Sequence, residues 1–150
     1  MRKIHSKIYK KTFYTKLLGF LTKKGKKSVS RKILNDAFLE VAIQTNLSLY
    51  TVFIKVFFSL NSFVETKKVK IRRTSHIVPF GITFKRRSYL IIKWLLEVVS
   101  QDKRKVSTSK KLATELLNIV KNKTISKAMS KKTQNISQAI NNRSNIHYRW

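Results

Sequence analysis

Thirteen consecutive residues, Ser88-Tyr-Leu-Ile-Ile-Lys-Trp-Leu-Leu-Glu-Val-Val-Ser100, limit the architecture more than any other stretch of this chain. Leu90, Ile91, Ile92, Trp94, Leu95, Leu96, Val98 and Val99 leave Lys93 and Glu97 as the only charges, and those two stand four apart, facing one another on a helix. A helix apolar on nearly every side must be enclosed by other elements. The segment falls short of the roughly 20 apolar residues that span a bilayer, so it reads as the central helix of a bundle, with Ser88 as candidate N-cap.

What encloses that helix is basic. The chain carries 34 Lys and Arg against 6 Asp and Glu, a net charge of +28, and such an excess drives a compact domain apart unless an anion surrounds it. The cations are spread along the chain between apolar segments, whereas a membrane-surface protein concentrates them on one amphipathic helix. Nucleic acid is therefore the expected polyanion, with a basic RNA-processing enzyme or a membrane-surface protein as the alternative readings. Hydrophobic residues make up 42% of the 150, enough for a core in a single domain at 12–150 behind a basic N-terminal arm at 1–11. There is no cysteine, and His5, His76 and His147 are far apart with few acidic companions, so no metal or other cofactor is expected. No paired carboxylates, glycine-rich phosphate loop or partnered histidine supports catalysis.

Along the chain, Phe13, Leu17, Leu18 and Leu21 predict a first helix after Thr12, ended by Lys23-Lys24-Gly25-Lys26-Lys27. Those four lysines and Arg31 are candidate phosphate contacts. Ser28 or Ser30 is a candidate cap for a second helix with Ile33, Leu34, Ala37, Phe38, Val41 and Ala42 inward; Asp36 and Glu40 are read as ion partners on its outer face, near Arg31 and Lys32. After a break at 45–48, residues 49–60 read as a third helix with Tyr50, Phe53, Ile54, Phe57 and Phe58 as a core band, although β-preferring residues make a strand the competing assignment. Val64–Ile71 and His76–Ile82 then predict two strands around a glycine-free turn at Arg72-Arg73-Thr74-Ser75. Lys67, Lys68, Lys70, Arg72 and Arg73 are too many cations to bury, so this hairpin projects into solvent or nucleic acid. Pro79 suits an edge position. Lys85-Arg86-Arg87 before the central helix oppose its dipole, an arrangement that phosphate relieves. A fifth helix, begun by Ser107 or Ser109, runs over 110–121 with Leu112, Leu116, Leu117, Ile119 and Val120 inward. Residues 122–132 read as a mobile loop, and 133–144 as a last, weakly apolar helix.

The terminal Asn145-Ile-His-Tyr-Arg-Trp150, together with Lys85-Arg86-Arg87, Leu90-Ile-Ile-Lys-Trp-Leu-Leu96, Leu112-Ala-Thr-Glu-Leu-Leu-Asn118 and Gly25-Lys-Lys27, resembles small-subunit ribosomal protein seven of the bacterial and organellar type, over most of the chain from about Leu17 to Trp150. The resemblance implies a mainly α fold, a six-helix bundle with one protruding basic β-hairpin between helices three and four. It implies binding to the 3′ major (head) domain of small-subunit ribosomal RNA, support of head assembly, a hairpin near the exit-site transfer RNA and the messenger RNA exit path, and the eleventh small-subunit protein as neighbour. By resemblance Lys26, Lys27, Lys67, Lys70, Lys85, Arg86, Lys131, Lys132, Arg143 and Arg149 are RNA contacts. Two departures stand out: Arg72 and Arg73 replace paired glycines at the hairpin tip, and Phe84 replaces a proline. Tyr148 and Trp150 have two open readings, stacking on bases or docking on the bundle. The wealth of Lys, Ile, Asn and Ser, whose codons are rich in A and T, favours a mitochondrial ribosome over a bacterial or plastid one.

Overall fold

The computed structural model describes residues 13–121 and 124–149, so the N-terminal arm, the Thr12 cap and Trp150 lie outside the described residues. Residues 13–21 form helix α1, with Phe13 and Leu17 buried and Leu18 and Leu21 against the core, as their spacing predicts. Gly25 (φ 73°) and Lys24 (φ 51°) turn the chain through left-handed backbone into α2, Lys27–Thr45. Neither Ser28 nor Ser30 caps α2: its N-cap is Lys26, and Ser30 is buried within the helix with its hydroxyl donating to the Lys26 carbonyl. Asn46 (φ 50°) closes α2 and Ser48 accepts from the Thr51 N–H to open α3, Leu49–Leu60. Helix wins over strand here. The aromatic band is only partly core, however: Val52, Phe53, Val56 and Leu60 are buried, while Phe58 is exposed because the inward arc falls on its neighbours.

Strands β1, Val64–Ile71, and β2, Thr74–Gly81, pair antiparallel, with Val64 opposite Gly81 and Ile71 opposite Thr74. The turn is two residues, Arg72-Arg73, shorter than expected because pairing extends through Thr74 and Ser75. Helix α4 runs from Phe84 to Gln101 and buries Leu90, Ile91, Ile92, Trp94, Leu95, Val98 and Val99. Ser88 does not cap it; the N-cap is Thr83, without a side-chain cap bond, and the buried Ser88 hydroxyl donates to the Phe84 carbonyl. Lys85, Arg86 and Arg87 consequently lie inside the first turn rather than before the helix. Helix α5, Thr108–Lys121, starts at Ser107, whose hydroxyl oxygen accepts from the Lys110 N–H.

The expected loop over 122–132 is overturned from Lys127 onward, with turn and coil confined to 124–126 among the described residues. Helix α6 begins at Lys127 and runs to Asn141, capped by Ser126, and a 3-10 turn, Arg143–Tyr148, follows. The reason is a group from another helix. The buried Glu115 carboxylate on α5 accepts from the Ser126 hydroxyl (2.7 Å) and the Ala128 N–H (2.9 Å), satisfying the first turn of α6. Side chains from all six helices share one core, in which Leu34, Val41, Val52, Leu60, Ile91, Ile92, Leu112 and Ile119 are fully enclosed. The architecture is thus the expected six-helix bundle with a hairpin between α3 and α4.

A two-stranded ribbon is marginal on its own, and this one is tied down at its base. The Arg86 guanidinium on α4 donates from Nε and Nη2 to the two carboxylate oxygens of Glu65, at 2.8 and 2.5 Å. Asn135 on α6 accepts from the Thr66 N–H and donates to the Val64 carbonyl; Asn145 and Arg149 donate to the Ile77 and Pro79 carbonyls. The Tyr148 ring lies 4.8 Å from that of His76, so Tyr148 docks on the hairpin. Beyond Val69 and His76 the ribbon is mostly exposed.

Two outcomes follow from this packing. Trp94→Ala, which empties a nearly enclosed indole site, lowers unfolding free energy by about 3 to 5 kcal/mol in a denaturant titration; an unshifted midpoint contradicts its place in the core. The Arg86 hydrogen bonds, opposed by burial, hold the Glu65 carboxyl below its ordinary value of 4.5. Stability from this pair is therefore complete above that value and is lost as pH falls below it, through the lowered value of the folded protein. Glu65→Gln removes that part of the acid loss and costs on the order of 1 kcal/mol at pH 7, since the half-exposed arginine is screened. Unfolding curves between pH 3 and pH 7 check both, and parallel acid limbs in the two proteins reject the assignment.

Candidate nucleic-acid interface

The starts of α2 and α4 share an unusual pattern. Neither has a side-chain cap or an acidic residue in its first turn, and both carry cations there: Lys26, Lys27 and Arg31 on α2, and Lys85, Arg86 and Arg87 on α4. By contrast α3 and α6 are capped by Ser48 and Ser126. Cations against the positive end of a helix dipole are unfavourable by a few tenths of a kcal/mol each, and the free N–H groups beside them suit an anion.

Contacts along α4 relate its start to α1 and α6. Arg86, Tyr89, Lys93 and Glu97 fall at spacings of three and four, forming its outward stripe. Arg86 stacks on the Tyr89 ring at 4.6 Å, and Tyr89 meets Phe20 of α1 edge-on at 5.5 Å. Lys23 lines the same cleft as Phe20, Tyr89, Lys93 and Glu97. At the far end, Glu97 is 3.7 Å from Lys93 and 2.7 Å from Lys131 of α6. Lys67 and Lys93 both add to the positive potential on Glu65. Lys23, the α4 stripe, the base of β1 and Lys131 at the start of α6 thus lie along one basic face.

The predicted cations divide into two groups on this scaffold. Lys23, Lys24, Lys26, Lys27, Arg31, Lys68, Lys70, Arg72, Arg73, Lys85 and Arg143 are exposed, with no side-chain hydrogen bond or ion pair to another described residue. Lys67 is exposed too, its ammonium 5.4 Å from the Phe80 ring centre. The others are already engaged. Arg86 holds Glu65, Lys131 holds Glu97, and Lys132 donates to the Ser59 carbonyl. Arg87 donates to the Ile82 carbonyl and lies 4.2 Å from the Phe63 ring, while Arg149 grips Pro79. These five join elements of the fold, a role that sequence alone does not separate from ligand contact. The expected ion pairs of Asp36 and Glu40 do not form with any described residue.

Lys93 and Tyr89 belong to the basic face and are not among the RNA contacts expected from sequence. Their spacing from Arg86 was the available signal. Glu115, the organiser of α6, gave none, because its partners are set by packing. Among the described residues no three His, Cys, Asp or Glu side chains come together as a metal site, and no single helix is long and apolar enough to cross a membrane.

The sequence model of the family described as ribosomal protein S7p/S5e matches residues 2–143. Small ribosomal subunit protein uS7m of Reclinomonas americana is 31% identical over 135 residues, covering 90% of this chain and 83% of that protein. Protein uS7 of Desulfatibacillum aliphaticivorans is 28% identical over 142 residues (95% and 89% covered), and uS7 of Wigglesworthia glossinidia brevipalpis is 29% identical over 136 (91% and 85%). A helical bundle with its hairpin between α3 and α4 and a match over nearly the whole length agree: the chain belongs to the ribosomal protein S7p/S5e family, structural proteins of the ribosome rather than enzymes.

Proposed function

We propose that this chain is a constituent of the small ribosomal subunit that binds the 3′ major domain of its RNA and supports assembly of the subunit head. The observation that carries this reading is the gathering of exposed cations without intramolecular partners at the α1–α2 turn, the start of α4 and the hairpin tip. Phosphates at the uncapped helix starts satisfy backbone N–H groups and neutralise adjacent side chains together. The engaged cations also position: Arg86 fixes where the hairpin leaves the bundle, and so where Lys68, Lys70, Arg72 and Arg73 meet RNA. Recognition is by shape, a rigid charged surface set against folded RNA helices.

The tip is exposed and lies beyond the part of the ribbon tied to the bundle, which suits the position expected near exit-site transfer RNA and the messenger RNA exit path. At its base, Phe63, Pro79, Ile136, Ile140 and Ile146 line an apolar cleft rimmed by Lys132, Arg143 and Arg149. On this reading that cleft receives the eleventh small-subunit protein, the neighbour that the resemblance implies. The codon-biased composition and the 31% identical mitochondrial relative support a mitochondrial ribosome, with a bacterial one as the alternative that the other relatives represent.

The test separates contact from positioning. Lys68, Lys70 and Arg73 changed together to Ala leave the unfolding midpoint in place and weaken binding to head-domain RNA. In titrations across salt concentrations, the slope of log affinity against log salt shrinks by roughly 2 to 3, about 0.7 to 0.9 for each phosphate contact removed. A slope and affinity equal to those of the parent protein reject the hairpin as an RNA contact.

A further inference from the structure

One face of the molecule does not suit RNA. Val29, Lys32, Asp36, Leu39, Glu40 and Ile43 fall within an arc about 100° wide on α2, at about 100° per residue, opposite the buried Leu34, Phe38 and Val41. Three of them are large apolar groups left open, Val29 at 53%, Leu39 at 48% and Ile43 at 74% exposure, and Leu49 at the start of α3 adds a fourth at 44%. Beside Leu39 and Leu49, the side chains of Tyr14, Asn35, Phe38 and Phe53 complete the lining of a cavity of about 310 Å³. Asp36 and Glu40 are two of only six acidic residues in the chain, and the described structure gives neither a partner.

We propose that this face of α2 is a docking surface for a second ribosomal protein, through a segment rich in Lys or Arg that carries a large apolar side chain. The inference rests on the chain being enclosed in a ribosome, where a face is covered by RNA or by protein. Two carboxylates side by side repel phosphate, and exposed Leu and Ile offer it nothing. A basic segment answers both features: its cations meet Asp36 and Glu40, and its apolar side chain fills the cavity between α1, α2 and α3. This surface lies on α2 and is separate from the cleft at the hairpin base.

The experiment places a benzophenone amino acid at Ile43 or, separately, at Lys68 in the full chain, assembles small subunits, irradiates them and sequences the crosslinked products. The expected product at Ile43 is a peptide of another subunit protein in which Lys and Arg outnumber Asp and Glu. Asp36→Lys with Glu40→Lys reduces its yield to roughly a tenth, since like charges then oppose one another. A crosslink from Ile43 to RNA, to this chain's own residues 1–12 or to an acidic peptide overturns the proposal, as does a yield unmoved by the charge reversal or no crosslink at all. Lys68 reports separately: its crosslink to RNA sustains the RNA-binding reading whatever Ile43 shows, and its loss counts against that reading alone.

Discussion

Six carboxylates are set among 34 cations, and the fold depends on where those few negative charges stand. Four of them occupy joints. Glu65 fixes the hairpin to the start of α4, and Glu97 holds Lys131 of α6 while facing Lys93 on its own helix. Asp102, held at about pKa 2 chiefly by the side-chain hydrogen bond from Arg104, orders the connection into α5, and Glu115 fixes the start of α6. Core burial supplies most of the stabilisation, but it does not choose one arrangement of basic elements over another. A bidentate arginine–carboxylate pair does, because it is directional. Placing an acid at each joint also leaves the surfaces between joints strongly positive.

How much of this was legible from sequence depended on whether the responsible interaction is local. The apolar pattern from Leu90 to Val99 gives α4, because helical periodicity is a property of neighbours; the same holds for the inward stripes of α2 and α5. The hairpin was legible from β-prone runs separated by residues that cannot be buried. The start of α6 was not, since Lys127 to Lys132 have no period of their own and are made helical by Ser126 together with a carboxylate from α5. Phe58 was misplaced for a related reason. An almost wholly apolar segment does not reveal which of its sides meets the core until its neighbours are present.

The candidate site shows the same division. Lysines and arginines are picked out by charge and by family resemblance, and neither distinguishes a side chain waiting for phosphate from one already bound to a carboxylate or carbonyl far away in sequence. Arg86 reaches Glu65 across 21 positions and Arg149 reaches Pro79 across 70, so neither bond leaves a local signature. Lys93 was set aside as the partner of Glu97. It lies 3.7 Å from Glu97 and half exposed, with Lys131 nearer to the same carboxylate, so the pairing does not remove it from the basic stripe of α4.

The hairpin tip is where the requirements of fold and function part. Arg72 takes the left-handed conformation (φ 53°) with a full side chain, at a cost of about 1 to 2 kcal/mol that glycine avoids. Arg73, Lys70 and Lys68 crowd like charge around it, and the nearest acid in sequence, Glu65, is committed at the base. At the tip the Thr74 hydroxyl donates to the Ile71 carbonyl and no described ion pair answers the cations, whereas nearer the base five side chains, Arg86, Asn135, Gln138, Asn145 and Arg149, bond to the strands. On the proposed reading, phosphate supplies the missing term, so the tip gains order as the charge that destabilises it is neutralised. Glycines would relieve the backbone and remove two cations; arginines keep the cations and leave the tip dependent on its ligand.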